Sequence, residues 1–138
     1  MDAVAVHLGD ARYAIPMADL AEVGRAPLTS RVPGTPRWVA GVGNWRGRVL
    51  AVLDGRALLD PTAYAAPPGD RLVVLAKDGV TVGLLVDRLD GTTPLPEAVE
   101  PAPPGAADLV VGTVIDDEGP LGLLDVGAII GLRHRLAA

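Results

Sequence analysis

The sequence predicts an all-β fold with short helices, arranged as two small antiparallel barrels of about five strands each. Hydrophobic residues make up 49% of the 138 residues but aromatic residues only 3%, so the core must consist of aliphatic side chains. Many of these are β-branched and fall in short runs, which favours strands. The 17 glycines and 13 prolines suit many short elements joined by turns.

The chain begins with a predicted hairpin. Residues 4–8 alternate in hydrophobicity, and Gly9 and Asp10 then turn the chain back into a second strand, which Pro16 ends. Residues 18–23 suit one or two turns of helix or a bulged turn.

The most distinctive segment follows a proline-containing loop. Residues 41–54 contain two apolar strands on either side of a tight turn at Arg46 and Gly47. Asp54 then stands where it can cap a short helix over residues 56–59, because its carboxylate can accept hydrogen bonds from the free N–H groups of the first helical turn.

The second half of the chain has the same order of elements. Asp78 and Gly79 form a strong hairpin signal between two apolar runs. Asp125 precedes a short apolar helix, as Asp54 does in the first half. The strands predicted for this half are residues 71–76, 80–86, 110–115 and 120–124.

A shift of 71 positions places the first strand–cap–helix unit on the second. The shift aligns Gly41 with Gly112, Leu50 with Leu121, Leu53 with Leu124 and Asp54 with Asp125. Chance similarity is one explanation, and two equivalent halves are the simpler one. We therefore expect a single domain over residues 1–138 whose main repeat units are about 38–60 and 109–131. Neither half is long enough for a large core, so the halves should pack on each other.

Composition excludes several classes of protein. The net charge of −5 argues against general nucleic-acid binding. The absence of cysteine removes disulfides and thiolate metal sites, and no other metal-ligand spacing occurs. No apolar run approaches the roughly 20 residues of a membrane helix, so we expect a cytoplasmic protein without membrane insertion.

Three carboxylates are the candidates for catalysis or metal binding. Asp54, Asp87 and Asp125 each follow an apolar run, so a small carboxylate-site enzyme or metal-binding protein stays open as an alternative. The repeat gives Asp54 and Asp125 equivalent positions in different halves, which fits structural helix caps better. No nucleophile motif or phosphate-binding glycine loop accompanies them. We therefore expect no enzymatic activity, no metal and no cofactor.

Both tryptophans lie within eight positions of the chain, beside several arginines. Tryptophan and arginine dominate the energetic hot spots of protein interfaces. One interpretation is that Trp38 and Trp45 fill gaps in a core without phenylalanine. For Arg46, beside Gly47 in a tight turn, the chemistry favours contact with a partner.

Residues 32–54 read VPGTPRWVAGVGNWRGRVLAVLD, and this segment resembles the signature of the CheW family around its Asn-x-Arg-Gly unit. The sequence departs from the family at Trp45, where leucine is usual, and at Ala51, where proline is common. The likeness covers essentially the whole chain. Further motifs of the family are matched by residues 8–23, 82–87 and 112–130.

The resemblance implies two fused and intertwined five-stranded SH3-like barrels that serve as a non-enzymatic chemosensory adaptor. Such an adaptor bridges the cytoplasmic hairpin tip of methyl-accepting chemoreceptors to the regulatory domain of a CheA-like histidine kinase, and other CheW-like domains are further possible partners. It belongs to bacterial two-component signalling arrays at the inner face of the membrane. A divergent scaffold of a motility or pili pathway, binding only one of the two partners, stays open as an alternative.

The resemblance also implies roles for particular residues, carried over by motif position. Arg46 is implied to contact the receptor, with Asn44 and Gly47 shaping its turn. Receptor binding is further implied for Gly41 and Val49. Positions that face the kinase or the receptor are implied for Leu20, Glu22 and Val23.

Overall fold

The structure, a computed structural model, describes residues 1–60, 68–96, 99–101 and 108–132. Over these residues the chain forms twelve strands and two short α-helices, which confirms the predicted all-β class. None of the helices in this part of the chain has the length and apolar character needed to cross a membrane. The elements are β1 Asp2–Leu8, β2 Ala11–Pro16, β3 Leu20–Arg25, β4 Thr29–Ser30, β5 Val39–Trp45, β6 Arg48–Asp54, α1 Gly55–Leu59, β7 Arg71–Lys77, β8 Val80–Val86, β9 Arg88–Pro94, β10 Glu100–Pro101, β11 Val110–Asp116, β12 Gly119–Leu124 and α2 Val126–Gly131.

The strands form two six-stranded sheets with the same internal order. Sheet 1 runs β3–β7–β8–β6–β5–β4, and sheet 2 runs β9–β1–β2–β12–β11–β10. Each strand of one sheet corresponds to the strand six places earlier or later in the chain, so the two orders match position by position. Each half of the chain therefore places its first hairpin in the sheet of the other half: β1 and β2 lie in sheet 2, and β7 and β8 lie in sheet 1.

The strand pairing differs in two ways from the antiparallel, five-stranded arrangement that the sequence predicts. β8 pairs in parallel with β6, and β2 pairs in parallel with β12. The two strands of each parallel pair come from different halves, so no hairpin turn constrains their relative direction. In addition, the two-residue strands β4 and β10 give each sheet a sixth strand at one edge.

The expected helix over residues 18–23 is wrong for most of its length, whereas the alternative of a bulge is partly confirmed, because the pairing of β3 with β7 shifts register between Leu20 and Glu22. A single turn of 3₁₀ helix covers Met17–Asp19, and strand β3 begins at Leu20. Side chains of β3 alternate between half-buried and exposed, but the half-buried positions include Glu22 and Gly24. Because these two residues are not apolar, the period-two pattern typical of a strand is absent from the sequence.

An aliphatic core is shared by the two sheets. It contains fully buried side chains from both, such as Val6 and Ile15 of sheet 2 and Leu75 and Leu84 of sheet 1, together with Ile129 of α2. A smaller cluster lies on the other face of each sheet, so β1 and β7 are buried on both faces. Burial on both faces explains why these two strands are continuous apolar runs.

The chain crosses from sheet 1 to sheet 2 at Asp87, between β8 and β9. The carboxylate of Asp87 accepts hydrogen bonds from the backbone N–H of Gly9 at 2.6 Å and from Nε and Nη2 of Arg56 at 3.0 and 2.8 Å. The backbone N–H of Asp87 donates to the carbonyl of His7. Asp87 thus ties the β1–β2 turn of sheet 2 to helix α1, which follows strand β6 of sheet 1.

A second ion pair holds the β11–β12 turn against β2. Arg12 donates to both carboxylate oxygens of Asp116, at 2.9 and 2.6 Å, and the two side chains are 12% and 21% exposed. These hydrogen bonds lower the pKa of Asp116 from its usual value of 3.8 to about 2. Because the pKa is lower in the folded protein, the pair contributes stability above the unfolded pKa, and that stability is lost as the pH falls through about 2.

Replacing Arg12 by methionine should therefore shift the titration of Asp116. We expect the Asp116 pKa in Arg12→Met to return toward its usual value of 3.8, as measured by NMR of the carboxyl carbon. The stability difference between wild type and Arg12→Met in urea unfolding should be largest above about pH 4 and shrink in stronger acid. Arg25→Met, which removes an exposed arginine from β3, should leave the Asp116 titration unchanged. An unchanged Asp116 pKa in Arg12→Met would contradict this account.

Candidate functional site

The Asn-x-Arg-Gly unit forms a two-residue turn between β5 and β6. Trp45 pairs with Arg48 as the last residues of the two strands, so Arg46 and Gly47 are the two central residues. Both have positive φ, 51° and 81°, which defines the type I′ turn that matches the twist of a hairpin. The side-chain oxygen of Asn44 accepts the backbone N–H of Gly47 at 2.9 Å. The motif therefore holds Arg46 at the tip of a fixed turn.

Glu22 of β3 connects this turn to the opposite edge of sheet 1. One carboxylate oxygen of Glu22 pairs with Nε of Arg46 at 2.8 Å, and the other accepts the indole N–H of Trp45 at 2.5 Å. The guanidinium carbon of Arg46 lies 5.4 Å from the centre of the Trp45 ring, within the range of a cation–π contact. We call Glu22, Trp45 and Arg46 the Arg46 cluster. Its contacts show that sheet 1 curls until β3 approaches the end of β5.

A groove of about 370 Å³ lies beside this cluster. The side chain of Arg46 is 67% exposed despite its ion pair, and Val49 is 83% exposed. Exposed apolar, aromatic and arginine side chains together are the composition typical of interface hot spots. We call this the Arg46 groove; its lining residues are Ala21, Glu22, Trp45, Arg46, Arg48, Val49, Leu50, Val74 and Thr81.

The structure brings five of the eight residues implied for partner contact to one place. Three of them line the Arg46 groove, and the other two form the turn beside it: Glu22, Arg46 and Val49, then Asn44 and Gly47. The other three lie elsewhere. Leu20 packs against the shared core, and Val23 lies on the exposed side of β3.

Gly41 is buried, and its contacts within the fold explain why this position is a glycine. Contact with a partner protein is not needed to explain it. Its φ is 145°, and a Cβ on it would lie 2.1 Å from the carbonyl oxygen of Ser30. The β5–β6 pairing shifts register between Val39 and Gly41, so the backbone of β5 approaches that of β4 closely here. Its counterpart Gly112 is in the same situation, since a Cβ there would lie 2.4 Å from the carbonyl oxygen of Glu100.

Gly24 is a site residue that sequence reasoning missed. A Cβ on Gly24 would lie 2.5 Å from Cη2 of Trp45, so the tryptophan ring occupies the space that any other residue would fill. A glycine inside a strand often marks such a close approach, but the strand itself is not evident from the sequence. Trp38, in contrast, packs against the shared core as a gap-filling residue.

The three candidate carboxylates are engaged separately. Oδ1 of Asp54 accepts the backbone N–H groups of Arg56 and Ala57 at 3.1 and 3.3 Å, which caps α1. Oδ1 of Asp125 accepts the backbone N–H of Ala128 at 3.0 Å, which caps α2. Asp87 pairs with Arg56 at the crossing between the sheets. Within the described ranges, no group of three or more His, Cys, Asp or Glu residues could hold a metal ion.

Two matched sheets with exchanged hairpins and an exposed Arg–Trp groove define a small protein-binding scaffold. The family model of the CheW-like domain matches residues 2–133. The chain is 28% identical over 123 residues to "Chemotaxis protein CheW" of Bacillus subtilis (strain 168), covering 86% of this chain and 79% of that protein. It is 34% identical over 111 residues to "Protein FrzA" of Myxococcus xanthus, covering 78% and 69%.

The fold is similar to that in the crystal structure of the scaffolding protein TtCheW from Thermoanaerobacter tengcongensis. The TM-score is 0.78 at 23% sequence identity, over 90% of this chain and 88% of that one. The chain belongs to the CheW-like domain family, which confirms the resemblance found in the sequence. It is a non-enzymatic coupling scaffold of the kind that works in bacterial chemotaxis.

The buried position of Gly41 predicts that its replacement acts on stability. We expect Gly41→Ala to lower the free energy of unfolding by about 3 kcal/mol or more, because a Cβ meets the Ser30 carbonyl and because its φ is disfavoured for alanine. Gly34→Ala is the matched control: its φ is also positive, at 82°, but nothing lies near a Cβ there. That variant should lose only about 1–2 kcal/mol. Equal losses for the two variants, measured by urea unfolding, would contradict the close-approach argument.

Proposed function

We propose that this chain couples chemoreceptors to a CheA-like histidine kinase, and that the Arg46 groove takes the cytoplasmic hairpin tip of the receptor. The observation that carries the proposal is the exposed Arg46 at the tip of a fixed turn, next to the exposed Val49 and the ring of Trp45. A charged fork beside an apolar surface suits a helical tip that presents both carboxylates and aliphatic side chains.

Arg46 acts in this proposal by exchanging partners. In the free protein its Nε is paired with Glu22. An exposed ion pair of this kind is worth only about 0–1 kcal/mol, so a carboxylate of the receptor can replace Glu22 at little cost. Apolar contact with Val49 and Trp45 then supplies most of the binding free energy, and Arg46 supplies orientation.

The kinase is proposed to bind away from this groove. Val23 lies on the opposite, exposed side of β3 and is 47% exposed, which leaves an apolar position for the regulatory domain of the kinase. Leu20 lies at the start of the same strand and packs against the shared core. In this proposal residues 1–138 act as one domain of two intertwined barrels, in arrays at the inner face of the membrane.

A second candidate function is a scaffold in another pathway that uses the same type of adaptor. The observation that raises it is that the similar proteins include "Protein FrzA", at 34% identity, beside those named for chemotaxis. In a motility or pili pathway the chain would bind only one of the two partners. The Arg46 groove would still be the receptor site, but the kinase would not bind.

The test measures binding of two purified fragments from the same genome: a chemoreceptor cytoplasmic fragment and the regulatory domain of the CheA-like kinase. Arg46→Ala should weaken receptor-fragment binding about tenfold and leave kinase binding unchanged, because the receptor carboxylate loses its charged partner. Arg71→Ala, an exposed arginine at the start of β7, is the matched control and should bind both fragments like wild type.

Each outcome of this titration has a definite meaning. Normal receptor binding by Arg46→Ala would refute the assignment of the groove. Loss of both partners together with a lower unfolding midpoint would show that the variant is misfolded, and Arg46→Lys, which keeps the charge but not the planar fork, would then replace it. Wild-type binding to the receptor without binding to the kinase would favour the second candidate.

A further inference from the structure

The Trp45 ring packs into a space that exists because residue 24 of strand β3 is a glycine. The far edge of its ring lies where a Cβ on Gly24 would be, at 2.5 Å. Its ring also packs against the small apolar cluster inside the curve of sheet 1, with Leu50, Val52 and Val74. The ring is therefore held on two sides by parts of sheet 1 that are distant in sequence.

The same ring fixes the polar groups of the Arg46 cluster. Its indole N–H donates to one oxygen of Glu22, and that leaves the other oxygen directed at Nε of Arg46. The face of the ring lies under the guanidinium group, 5.4 Å from its carbon. Leucine, the usual residue of the family at this position, has neither an N–H donor nor a ring and can do none of this.

We propose that Trp45 is a positioning residue for Arg46, and that Gly24 and Trp45 act as a matched pair that sets the orientation of the guanidinium group. This inference rests on the proposed function, in which Arg46 receives the receptor. In the free protein, Glu22 at Nε and the ring beneath the group hold the guanidinium plane in one preferred direction toward the groove, and the ring keeps it there when a receptor carboxylate replaces Glu22. A ligand carboxylate then meets a preorganised donor, so less side-chain entropy is lost on binding.

If Gly24 and Trp45 act as a matched pair, substitutions at the two positions should not have additive effects on receptor binding. A purely structural role for Trp45 does not predict this. Gly24→Ala should displace the ring and weaken binding of the chemoreceptor fragment about tenfold although Trp45 is still present. Trp45→Leu should weaken binding by a similar factor. Adding Gly24→Ala to Trp45→Leu should cause no further loss, because the shorter side chain no longer meets the new Cβ. Gly131→Ala, in open space near the end of α2, is the control and should bind like wild type.

A second measurement needs no partner. The guanidinium group of Arg46 should be ordered in the free wild-type protein, as measured by NMR relaxation of its Nε nitrogen, and should become more mobile in Trp45→Leu and in Gly24→Ala. Trp45→Phe, which keeps a ring but removes the N–H group, should lose part of this order of the guanidinium group. Unfolding midpoints of all variants check that the fold is retained.

The two measurements separate the two proposals. Additive losses of affinity in the double variant, or an unchanged order of the Arg46 guanidinium group in Trp45→Leu, would overturn the positioning role. Normal receptor binding by Arg46→Ala would overturn the proposed function instead, and the relaxation measurement would still decide whether Trp45 orients Arg46.

Discussion

The exchange of one hairpin between the two halves of the chain is the constraint on which the rest of this structure depends. Because β1 and β2 complete sheet 2 while β7 and β8 complete sheet 1, neither half can form its sheet alone. The aliphatic core is shared for the same reason, and Asp87 closes the arrangement where the chain crosses between the sheets. The two halves are therefore expected to unfold together in one cooperative transition.

Because the two sheets are built in the same way, the β5–β6 turn of sheet 1 and the β11–β12 turn of sheet 2 are equivalent in position. The two turns nevertheless present different side chains. At the β5–β6 turn, Arg46 and Gly47 have positive φ, and the turn presents a cation. At the β11–β12 turn, Asp116 instead accepts the N–H of Glu118 and pairs with Arg12. The groove beside this second turn, of about 580 Å³, is lined by several carboxylates. Because the strands beneath are held by the shared core in both cases, the turns can diverge in charge without a change in packing.

Sequence patterns predict those elements whose geometry depends on residues that are adjacent in the chain. The hairpin at Asp78 and Gly79 is evident because both residues adopt the positive φ, 53° and 79°, that such turns require. The residues of the β5–β6 turn are adjacent in the chain, so their grouping is also predictable. Strand β3 is not predicted from the sequence because its half-buried positions include Glu22 and Gly24. The contact of Glu22 with Arg46 depends on the curl of sheet 1, which brings β3 to the end of β5, and no local pattern encodes that curl.

A scaffold that only binds must obtain its specificity from geometry, and the position of Arg46 serves this need. A side chain on a two-residue turn closed by Asn44 has little backbone freedom, so its conformational entropy is lost during folding and not during binding. Glu22 keeps the charge of Arg46 partly compensated until a partner arrives, which reduces binding to anions in general. A ligand that brings a carboxylate alone gains little, because it only replaces one exposed ion pair with another. Only a ligand that also covers Val49 and the Trp45 edge gains enough from apolar burial, so discrimination comes from the combination of the two contacts.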